Sequence, residues 1–148
     1  MPVKAVGIKE IRKEYWKYTL PVLVESVPEL FYGKKITDRS AIDSKAPQGG
    51  HIYLSCIATT NKAIVGVYIR TGKKETAKAI FDLLLLRKKE IEAAVSTKNI
   101  EWVWTENDLD ANIRCMINAS ILSIDDWERC RLFHSKTSKE LYDLLFKY

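Results

Sequence analysis

Three places in this chain hold residue types that could do chemistry. The first is Gly72-Lys73, where a strand pattern gives way to a helix pattern. A phosphate loop of the form G-x-x-x-x-G-K-[ST] works because backbone N–H groups wrap the phosphates and a hydroxyl holds magnesium. With Gly72-Lys73 in register, the first glycine belongs at position 67 and the hydroxyl at 74, but the chain has Val67 and Lys74 there. Thr71 and Gly72 therefore read as helix-start residues. Arg70, Lys73 and Lys74 around that start favour an anion through charge and helix dipole alone.

The second place is Cys130 with His134, four residues apart and so on one helical face. Zinc needs three or four protein ligands, and the other histidine, His51, stands beside Gly49-Gly50 with no ligand pair of its own. No metal ligand and no cofactor is assigned. The third is Asp43-Ser44-Lys45 with Asp38 upstream. A metal-dependent nuclease needs two acidic groups and a lysine converging on magnesium. These residues fall in "DRSAIDSKAPQGG", a stretch of turn-forming residues that reads as a solvated loop. No G-x-S-x-G context marks a nucleophile. No catalytic residue is assigned, and a nuclease remains an alternative reading only.

What remains is a surface, which depends on the elements that build it. "HIYLSCIA" and "AIVGVYIR" alternate with period two around a tight turn at Asn61, predicting an antiparallel hairpin. In the second arm Ala63, Val65, Val67 and Ile69 share one face, leaving Tyr68 and Arg70 on the other. Tyr53 and Ser55 follow by the same alternation, and Arg114, Met116 and Asn118 on a later strand within "ANIRCMINASI". The other late strand is "IEWVW", joined to it by the polar turn "TENDLD". Trp102 and Trp104 share a face and are expected to pack on a helix.

Helical periodicity marks residues 7 to 28, with Pro21 expected to kink or restart the helix, and one long helix over Gly72 to Val95. Lys78 and Asp82, like Lys88 and Glu92, stand at i,i+4 on it. "LFYGKKIT" reads as a short strand or hairpin arm. Capping patterns at Ser123 to Asp126 and Thr137 to Glu140 predict terminal helices split near His134 to Ser138. The sum is a single α+β domain over 1–148: an antiparallel sheet of about five strands with helices packed on one face.

Composition narrows the class. The chain has 148 residues, 47% hydrophobic and 29% charged, so it can bury a core and is neither disordered nor membrane-spanning. Its longest apolar run, Ile80 to Leu86, contains Asp82 and falls far short of a bilayer span of about 20 residues. The N-terminus "MPVKAVGIKE" has no apolar stretch long enough for a secretion signal, so a cytoplasmic location is expected. Cys56, Cys115 and Cys130 are odd in number and widely spaced, which argues for reduced, buried thiols. A net charge of +5 suits an anionic partner without requiring one.

Several segments are similar to a known family. Tyr15-Trp16, Tyr68-Ile69, Phe81-Asp82-Leu83-Leu84, Lys88-Lys89-Glu90-Ile91-Glu92 and Ile100-Glu101-Trp102 resemble the motifs of the bacterial and archaeal domain of unknown function 4268. The resemblance runs over roughly residues 14 to 146. In that family the domain often follows a restriction-endonuclease-like region. The resemblance thus implies an accessory role in DNA metabolism or phage defence. The expectation is a non-catalytic binding or assembly module, with a protein partner or a second copy as first choice. Nucleic acid is the alternative, and the residues for either are Tyr53, Tyr68, Arg70, Lys73, Lys74 and Arg114.

Overall fold

A computed structural model describes residues 7–46, 50–104 and 110–146. Helix α1 (Ile8–Ser26) and one turn, α2 (Pro28–Phe31), lead into a short edge strand β1 (Ala41–Asp43). The hairpin β2 (Ile52–Ala58) and β3 (Lys62–Arg70) follows, then α3 (Lys74–Leu85), α4 (Lys88–Ala94), β4 (Ile100–Trp104) and β5 (Asp110–Asn118). A 3-10 turn at Ile124–Asp126 opens α5 (Trp127–Leu141), which ends in a π-helical turn, Tyr142–Phe146. The strands pair antiparallel throughout, in the order β1-β2-β3-β5-β4. This is the expected α+β layering, with the helices on one face of a five-stranded sheet.

The sheet's inner face follows from register. Ile42, Cys56, Val65, Cys115 and Ile100 lie in one row across all five strands. Leu54, Val67, Ile113 and Trp102 form the next. The strand residues of both rows join one cluster with Tyr15, Trp16 and Leu23 of α1, Phe81 of α3 and Phe133 and Leu141 of α5. Tyr15, Trp16, Leu54, Val67 and Ile113 are fully buried there. At about 25 cal/mol per Å² of apolar surface removed from water, this layer contact holds helices and sheet together.

Several local expectations change. Pro21 lies inside α1, which runs on without a break; the helix ends instead where Pro28 opens α2. Leu30 to Thr37 is the end of α2 and an irregular segment rather than a strand. Strand β1 lies within the stretch read as loop, too short for a period-two pattern. The long helix breaks at Leu86-Arg87 into α3 and α4. Conversely α5 is unbroken through His134 to Ser138. Thr137 and Ser138 look inward, 2% and 0% exposed, and Ser138 Oγ lies 3.3 Å from Cys56 Sγ. The "TENDLD" turn lies outside the described residues over 105–109. Among the described residues no helix is long and apolar enough to cross a membrane.

Candidate functional site

The outer face of the sheet carries no helix among the described residues, and its rows are set by the same register. One row is Ala41, Ile57, Ile64 and Met116; the next is Asp43, Ser55, Gly66, Arg114 and Glu101; the third is Tyr53, Tyr68, Asn112 and Val103. Ile64 and Met116 are buried yet stand apart from the core cluster, as residues of this second surface must.

Tyr53 and Tyr68 are direct cross-strand partners, and their rings stack with centroids 5.6 Å apart and planes at 18°. Gly66 explains the pose. A Cβ at position 66 would collide with the Tyr68 ring, so only glycine lets that ring lie down against the strand. Arg70 sits over the Tyr53 ring at 5.6 Å. Arg114 stands beside Tyr68 and pairs with Glu101 at 2.9 Å. Partial burial pushes the Tyr68 phenol up, against the lowering effect of the Arg114 charge, while Asp43 nearby adds to the rise. Two polar atoms on this face, Arg114 Nε and Asn112 Oδ1, are buried without a hydrogen-bond partner.

Tyr53, Tyr68, Arg70 and Arg114 are therefore brought together. Lys74 is not: with Lys78 it borders a recess beside Trp104, which belongs to the sheet's inner, helix-bearing face. Lys73 is the residue before α3, its N–H held by the Thr71 hydroxyl at 3.1 Å. Gly72 takes a left-handed φ of 75° in that turn. The pair that resembled a phosphate loop thus makes a turn closed by threonine.

Elsewhere the chemistry-bearing residues are tied to structure. His134 is fully buried on α5. Its Nε2 lies 2.9 Å from the Ile57 carbonyl, which can only accept, so the proton is on Nε2. Nδ1 then accepts from the Tyr15 hydroxyl at 2.7 Å. Burial holds His134 down to about 4, and the Tyr15 phenol well above its usual range. Both nitrogens are engaged, so His134 neither ligates a metal with Cys130 nor activates a nucleophile in this state. Burial also pushes the thiols up, Cys56 and Cys115 to about 12 and Cys130 to about 11. Asp43 ends β1 on the outer face, while Lys45 lies over the Tyr32 ring at 5.7 Å. Among the described residues no group of three or more His, Cys, Asp and Glu side chains is placed to hold a metal.

The Tyr15–His134 pair joins residues 119 positions apart, and no spacing rule links them. Gly66 sits within a strand pattern that gives no hint of the ring it accommodates.

A model of the family described as Domain of unknown function (DUF4268) matches residues 11–148. No curated protein matches the chain, and no solved structure does.

Proposed function

Since the chain belongs to the family of domain of unknown function 4268, we propose that it is a non-catalytic assembly module that self-associates through the outer face of its sheet. The observation that carries this is charge balance around the stacked tyrosines. Arg70 and Arg114 are matched on the same face by Asp43 and Glu101, and Arg114 is already paired. A surface for a phosphate backbone would present excess positive charge. A two-fold interface sets one patch against itself, and a patch holding both signs can complement its own copy. Tyrosine and arginine suit such a contact.

The test is the mass in solution by light scattering, over a concentration series. The expected result is twice the 17.0 kDa of one chain, falling to one chain in Tyr68→Arg. A wild-type chain that stays monomeric at every concentration overturns the proposal.

A second reading is favoured by one observation, the two stacked rings with a guanidinium over one of them. Bases stack on such platforms, and arginine neutralises phosphate. On this reading the module serves DNA metabolism or phage defence by binding a single strand directly. Fluorescent single- and double-stranded oligonucleotides then bind with affinity that falls steeply with salt and drops in Arg70→Ala. Affinity indifferent to salt rules it out.

A further inference from the structure

At the β1 end of the sheet the backbone is left open. Ser40 O accepts from Ala58 N–H at 2.8 Å, and Ser44 N–H donates to Leu54 O at 2.7 Å. Antiparallel ladders alternate bonded pairs with open ones, so Ile42 bonds Cys56 between those two contacts. Ala41 and Asp43 then turn their N–H and C=O groups away from β2, to an edge that no strand covers among the described residues. Along this edge runs a recess of about 240 Å³, whose walls include Lys34, Lys35 and Arg39 together with Ala41, Ile42 and Asp43.

The recess is positive. Among the described residues Lys34, Lys35 and Arg39 make no ion pair. Asp43 is the acid in its lining, and it shares the outer-face row of Ser55 and Gly66, whereas Ile42 faces the core. Asp38 borders a different recess, with Glu10 and Lys13. The segment that carries the cations is anchored in the helix layer: Lys34 N–H donates to Phe31 O at 3.0 Å, and the Trp16 indole donates to Arg39 O at 2.9 Å. Side chains alternate along a strand. One laid against β1 therefore points its residue opposite Ile42 toward the helix layer, and those opposite Ala41 and Asp43 toward the outer face.

We infer that the β1 edge takes up an extended acidic segment of a partner protein as an added antiparallel strand, its acidic side chains at alternate positions toward Lys34, Lys35 and Arg39. The open backbone groups of Ala41 and Asp43 ask for donors and acceptors in turn, which an extended chain has and a phosphate lacks. Three unpaired cations beside one carboxylate set the sign of the occupant. A second copy of this chain has the wrong sign, because edge-to-edge pairing brings its lysines against these. The inference does not rest on self-association through the outer face.

The probe is a fluorescein-labelled peptide with a Thr-Glu-Thr-Glu-Thr core in a Gly-Ser frame, and its control carries Lys at both acidic positions. Fluorescence polarisation with the full chain is expected to show the acidic probe binding at least about tenfold tighter than the control. N-methylation of the threonines removes the N–H groups that face β1 and abolishes binding. N-methylation of the glutamates, whose N–H groups face solvent, leaves affinity within about threefold. Lys35→Glu and Arg39→Glu together lower affinity at least about fivefold. Both side chains are exposed, and circular dichroism checks that the variant folds. Tyr68→Arg retains the peptide affinity, which separates this edge from the sheet face. No saturable binding up to about 1 mM, equal affinity for acidic and basic probes, or equal loss from the two methylations overturns the inference. So does a single-stranded oligonucleotide whose binding the double substitution removes while the peptide's stays, which assigns the cations to phosphate.

Discussion

His134 is buried between a phenol that donates to it and a carbonyl that accepts from it, so protonation breaks one contact and places a charge inside the core. Its folded value of about 4 lies below the ordinary 6.5, so in between the unfolded chain binds a proton that the fold does not. Stability therefore falls as pH drops through that window, by on the order of 3 kcal/mol in full. Urea midpoints at pH 7 and 4.5 should show this loss, and His134→Gln should reduce the dependence. A second change at this contact, Tyr15→Phe, strands the buried Nδ1 acceptor and is expected to cost about 1–3 kcal/mol. Gly66→Ala is expected to act differently. The added methyl collides with the Tyr68 ring, which is partly exposed and can swing aside. Alanine also suits a strand better than glycine, by about 0.5–1 kcal/mol. Stability should stay within about 1 kcal/mol of wild type while association through the face weakens, so the two readouts part company.

Among the elements, Pro21 lies exposed within α1, where it donates no N–H to the carbonyl of Lys17. Pro21→Ala should raise stability by roughly 1–3 kcal/mol, measured by thermal or urea unfolding, because proline is about 3 kcal/mol less favourable than alanine in a helix interior. Why α1 keeps its course here is a matter of burial: Thr19, Leu20 and Leu23 on either side are held in the core. That kind of tertiary override is what the sequence could not convey. Period-two strands were legible because each has one face in the core, and that Tyr53 and Tyr68 share the outer face followed from that alternation, whereas their stacking depends on Gly66. The break at Leu86-Arg87 was not legible, since no glycine or proline marks it. Nor was the fate of Lys88 and Glu92. Lys78 does pair with Asp82 at 2.7 Å, but Glu92 accepts from the Trp102 indole at 3.1 Å and Lys88 sits over that ring. The capping pattern at Thr137 misled for a similar reason. Thr137 and Ser138 are buried, with Ser138 Oγ beside Cys56 of the sheet, and Glu140 reaches across to Ser96 instead of back along its own helix.

Across the whole molecule, opposite charges meet on the outer sheet face, where Arg114 pairs with Glu101, and along α5, where Arg129 pairs with Asp126 and Lys139 with Asp143. Self-association through opposite charges on that face should weaken as salt rises, a trend that light scattering measures on one protein preparation. The layered core has another consequence. Cys56 on β2, Cys115 on β5 and Cys130 on α5 all lie in the cluster between sheet and helices, and none reaches solvent. Their alkylation by a maleimide must wait for that layer to part. The rate at which the folded protein takes up label is then a clock for its internal breathing, and three residues at three depths of the chain let mass spectrometry show whether the sheet and α5 separate together or in turn.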